Sequence, residues 1–91
     1  MIDEVRELIE QDPGYKKLLK EILENPYIER GALAAKAALA PDVVERMLGP
    51  LQEKMVVLEL ASQADSSIES RVPKKIYLVN PEIEGELRAI I

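Results

Sequence analysis

Three basic residues fall within five positions at Arg71, Lys74 and Lys75, and Arg30 and Lys36 precede them on an alanine-rich stretch. Long cationic side chains grouped in this way suit phosphate oxygens, whose contacts anchor and orient a protein on a nucleic acid without reading its sequence. Binding by all three of the clustered bases would give a logarithmic salt slope of only about −2 to −3, which is weak for one copy of the chain. Lysines flanking a strand also protect its edge from aggregation, so the cluster has a structural use as well.

A second group that could do chemistry is Glu82, Glu84 and Glu86. Paired carboxylates can act as general acid and base, but residues two apart do not share a helix face, and acids near a helix start are favoured by its dipole. Histidine and cysteine are both absent, which removes the commonest metal ligand and general base together with any thiolate or disulfide. No glycine-rich phosphate loop or nucleophile motif is present. The residues therefore predict a protein that is not an enzyme and carries no metal or cofactor.

Ninety-one residues suffice for one small domain with one core. Apolar residues make up 47% of the chain and the three aromatic ones are all tyrosine, so the core must be aliphatic. The longest apolar runs, Met55 to Leu58 and Ile76 to Val79, are far too short to cross a bilayer. The acidic start Met1-Ile2-Asp3-Glu4 is unlike a secretory signal. A soluble cytoplasmic protein without a membrane role is expected. Net charge is −5, but residues 1 to 25 carry seven acids against four bases, so much of the acid surplus lies away from the basic positions.

These positions need elements to hold them. Ile2, Val5, Leu8 and Ile9 form an amphipathic stripe over residues 2 to 11, ended by Asp12-Pro13-Gly14. Tyr15, Leu18, Leu19, Ile22 and Leu23 form the next, stopped at Asn25-Pro26. Tyr27-Ile28 is long enough only for a β-bridge. Ala32 to Leu39 reads as a helix burying Leu33 and Ala37, with Ala34 and Ala38 as further small contacts.

After a turn at Ala40-Pro41-Asp42, Val44, Met47, Leu48 and Leu51 mark a helix running toward Lys54. Pro50 predicts a kink or break near Leu48, because it removes a hydrogen bond and clashes with the carbonyl of Arg46. Met55 to Ala61 and Lys74 to Val79 read as strands joined by a polar, serine-rich hairpin loop. Asn80-Pro81-Glu82 has the composition of a helix start, and Ile83, Leu87 and Ile90 form the stripe that follows.

In this order the segments resemble the winged helix-turn-helix domains of prokaryotic transcription regulators over about residues 15 to 91. The matching residues are Leu33-Ala34-Ala35-Lys36 before the turn, Val43-Val44 through Leu48 and Leu51 to Val57 after it, and Ile76-Tyr77-Leu78-Val79-Asn80-Pro81-Glu82 from the last strand into the last helix. The pattern departs from the family at Met55, where many members have glycine, and at Glu45, Gly49 and Pro50, where they tend to carry basic or polar side chains.

The resemblance implies an α+β fold, a helical bundle with a two- to three-stranded antiparallel wing, forming one domain over residues 1–91. It also implies a small regulator that binds double-stranded DNA. The helix after the turn would enter a major groove with Arg46 bonding guanine, Val43 touching a thymine methyl and Glu45 accepting from cytosine; Arg46 could instead pair with Asp42. Lys36, Arg71, Lys74 and Lys75 would lie on phosphates. Weak binding by one copy suggests a homodimer, with residues 1–11 as a dimerisation helix. The alternative is a winged-helix module for a protein partner, using the surface of Val43, Met47, Gly49 and Pro50 or the acidic helices.

Overall fold

The computed structural model describes residues 2–62 and 74–91. Five helices and a three-stranded antiparallel sheet form an α+β arrangement in which α2, α3 and α4 contact the strands and α1 packs on α2 and α5. The helices are α1 (Ile2–Gln11), α2 (Gly14–Glu24), α3 (Arg30–Ala37), α4 (Pro41–Glu53) and α5 (Glu84–Ile90). The strands are β1 (Ile28–Glu29), β2 (Val57–Ser62) and β3 (Lys74–Val79), in the order β1-β3-β2. Although only two residues long, β1 pairs Ile28 with Tyr77 and Glu29 with Ile76. The serine-rich hairpin loop lies outside the described residues.

Each stripe read from the sequence contributes to one core. Val5, Leu18, Leu19, Ile22, Leu33, Val44, Leu51 and Leu87 have no exposed surface, and the inward row Ile28, Val57, Tyr77 and Val79 closes the core from the sheet. Val5 and Leu8 of α1 belong to this core, with Ile2 and Ile9 packed against its margin. The α1 stripe is therefore largely occupied within its own chain. Gly14 permits the close approach of α2 to α4, since a Cβ there would lie 2.7 Å from Cε of Met47. Its φ is not positive, so its lack of bulk matters more than its freedom to turn.

Two readings of α4 need correction. The helix is not broken at Pro50 and continues to Glu53. Pro50 stands in the last turns, where one lost bond is offset by burial of Leu51 and by a closed C-terminus: Val56 N–H donates to the Leu51 carbonyl at 2.9 Å and Met55 N–H to that of Gln52 at 3.1 Å. This is a Schellman closure. Met55 supplies its left-handed residue, with φ of 60°. The side chain is 54% exposed, so Met55 is not the start of a buried strand.

Asn80 then fastens this exit to the last helix. Its Nδ2 donates to the Met55 carbonyl at 2.8 Å, and its Oδ1 accepts from Glu82 N–H at 3.0 Å. The sequence signal for a cap is thus used, although α5 itself begins at Glu84 after a turn.

Candidate nucleic-acid interface

The α3–α4 connection sets the geometry. α3 ends in a second Schellman closure, in which Leu39 N–H bonds the Ala34 carbonyl at 3.0 Å and Ala38 N–H that of Ala35 at 3.3 Å. Ala38 takes the left-handed conformation, with φ of 56°. The turn is only three residues long because Pro41, whose fixed φ suits a first helical position, starts α4 directly after Ala40. Buried Leu33, Ala34 and Ala37 on one side and Val44, Met47 and Leu48 on the other anchor the pair in the core. Asp42, Glu45 and Arg46 remain on the exposed side of α4.

Among those exposed residues, Glu45 and Arg46 differ in their commitments. Glu45 lies 3.9 Å from the Arg30 guanidinium. Among the described residues Arg46 makes no ion pair, including none with Asp42 four positions before it. Its cation is therefore available to an external acceptor. Val43 is half-buried and packs against the margin of the core, which leaves only part of its surface for an external methyl contact.

Arg30 is committed inward. Its Nε and Nη2 donate to the Tyr77 hydroxyl at 3.1 and 3.0 Å, across 47 positions of sequence. Hydrogen bonding to Tyr77 raises the Arg30 pKa above its ordinary value, with smaller raising contributions from nearby Glu45 and Glu59 and an opposing one from desolvation. Arg30 joins α3 to the sheet and is less available to a phosphate than its position in the sequence suggests.

Lys36 has the opposite setting. It lines a shallow hollow of about 300 Å³ with Lys17, Lys20, Glu21, Ala37 and Ala38. Lys17 and Lys20 come from α2, and among the described residues none of the three lysines forms an ion pair. Packing of α2 against α3 brings them to Lys36, beside the turn into α4. Three cations around one hollow on an acidic chain leave a local positive potential for an anion to occupy.

The basic residues of the hairpin are less uniform. Lys75 forms an ion pair with Glu59 at 3.4 Å, and Glu59 also accepts from Gln52 at 2.6 Å. Arg71 lies outside the described residues, and Lys74 is placed only as the first residue of β3. On the alternative interaction surface, Met47 is 2% exposed and belongs to the core, whereas Gly49 and Pro50 are half-buried. Among the described residues no group of acids could hold a metal ion, and no helix is long and apolar enough to cross a membrane.

No protein-family model matches the chain, and no curated protein matches its sequence.

Proposed function

We propose that this chain is a small DNA-binding transcription regulator of the winged helix-turn-helix type. The single observation that carries the reading is the convergence of Lys17, Lys20 and Lys36 around one hollow beside the α3–α4 turn, on a chain whose net charge is negative. Glu21 also lines the hollow, which leaves an excess of positive charge there, and the three lysines have no ion-pair partners among the described residues. The element order from α2 to β3 also supports the reading: a helix, a short strand, two helices joined by a tight turn, and an antiparallel hairpin.

In this proposal α4 enters the major groove, and Arg46 donates to a guanine edge. Val43 makes a smaller apolar contact. Lys36, joined by Lys17 and Lys20, holds one phosphate strand, and Arg71, Lys74 and Lys75 hold another from the hairpin. Lys75 contributes least, because Glu59 already offsets its charge. The division follows chemistry: planar bidentate arginine discriminates a base, and lysine supplies charge.

Anisotropy of a labelled random-sequence duplex, titrated with salt, tests the reading. Binding at low salt should weaken with a logarithmic slope of about −3 or steeper, and Lys17→Ala, Lys20→Ala and Lys36→Ala together should flatten it by about two to three units. Against a selected site, Arg46→Ala should cost about 1–3 kcal/mol while leaving random DNA nearly unaffected. Absence of duplex binding at roughly 50 mM salt would refute the regulator reading, because non-specific phosphate attraction is strong at such salt.

A further inference from the structure

The hollow between α2 and α3 has the size of a small-ligand site but not the usual lining. Its volume of about 300 Å³ stands at the lower end for such sites, which are ordinarily walled by apolar and aromatic side chains. Here Lys17, Lys20 and Lys36 supply three exposed cations, and the rest of the lining is Glu21, Ala37 and Ala38. Side-chain charges around it leave a net +2 on a chain of −5. Glu21 is half-buried, and its carboxylate accepts from Asn25 Nδ2 at 3.4 Å, one turn further along the chain. The end of α3 is also partly neutralised, because the Ala34 and Ala35 carbonyls already accept from Leu39 and Ala38 N–H.

We propose that this hollow binds a free oligophosphate, a short chain of linked phosphate groups, and that the bound anion displaces the DNA backbone from the same lysines. Binding stands on the hollow alone, whereas displacement rests on the regulator reading. Three cations placed around one concavity by two helices face different oxygens of a phosphate chain, and lysine acts as a flexible point charge that follows an anion of variable shape. No aromatic ring and no large aliphatic side chain lines the hollow among the described residues. A nucleoside attached to the phosphates therefore gains no stacking contact, and recognition is by charge and chain length.

Exposure sets the strength. All three lysines are open to water, so each contact is worth about a two- to fivefold change in affinity and weakens as salt rises. The two helices hold the cations together before any ligand arrives, which is the advantage of the hollow over lysines scattered on the surface. A backbone phosphate of DNA and a phosphate of the free chain present the same oxygens to the same ammonium groups, so occupancy by one excludes the other.

Sodium tripolyphosphate titrated into the full chain from about 10 µM to about 3 mM at constant ionic strength, followed by backbone amide NMR shifts, tests the site. Saturable shifts should centre on Lys17, Lys20, Glu21 and Lys36 to Ala38. Lys20→Gln with Lys36→Gln should weaken binding about four- to twentyfold, while Arg6→Gln with Lys54→Gln, which removes equal charge from outside the hollow, should change it by less than about twofold. Tripolyphosphate should also release a labelled duplex at concentrations that fill the hollow, where sodium chloride of equal ionic strength does not. Binding of tripolyphosphate at the hollow without any duplex binding would keep the site and remove the regulator reading. Absent or non-saturable shifts, shifts centred elsewhere, or equal losses in both double variants would overturn the site; a duplex that stays bound when the hollow is full would overturn the displacement. Adenosine triphosphate binding about tenfold more tightly than tripolyphosphate would also overturn the proposal, since a gain of that size marks a stacked base.

Discussion

Replacing Ala38 with glycine should stabilise this protein, although the same exchange normally weakens a helix. Ala38 follows the last residue of α3 with φ of 56° and ψ of 42°, where an L residue suffers contact between its Cβ and the backbone. The left-handed conformation costs a non-glycine residue about 1–2 kcal/mol. Glycine removes that cost but adds about 0.4–1 kcal/mol of unfolded-state entropy. Ala38 is exposed, so the lost methyl carries little packing energy, and the net gain is about 0.5–1 kcal/mol. For a domain of this size that raises Tm by about 2–8 °C.

Urea and thermal unfolding followed by circular dichroism would measure the effect, with Ala35→Gly as an internal control. Ala35 is exposed within the same helix, and there glycine should cost about 0.5–1 kcal/mol. Opposite signs at two positions three residues apart would place the end of α3. Equal destabilisation by both changes would refute the Schellman closure and require a different path from α3 into α4.

Two other changes examine the core and its main polar tie. Leu51→Ala removes a fully buried side chain from the last turns of α4 and should cost about 2–5 kcal/mol in chemical denaturation; a loss of a few tenths would place Leu51 outside the core. Tyr77→Phe retains the buried ring but removes the oxygen that accepts from Arg30. It should cost about 1 kcal/mol, because water can reach the partly exposed guanidinium, and a neutral result would mean that Arg30 finds an equivalent partner.

The sequence alone determined which residues enter the core and the type of most elements. Val44, Met47, Leu48 and Leu51 share a helix face through a period that follows from backbone geometry, and all four are buried. Asn25-Pro26 and Pro41 limit their helices because proline restricts local angles and lacks a donor. Tertiary structure decided what local rules left open or opposed. Pro50 stands in a helix whose next residue, Leu51, is buried in the core, and the left-handed exit at Met55 is held by Asn80, 25 positions away, which donates to its carbonyl. The candidate site divides in the same way. Arg46 was visible as an exposed base on α4, but the inward commitment of Arg30 to Tyr77 and the meeting of Lys17 and Lys20 with Lys36 required folded neighbours. Periodicity assigns a side chain to a face of its own element; which distant groups meet it depends on how those elements pack, because hydrogen bonds and charge interactions act over a few ångströms of space rather than along the chain.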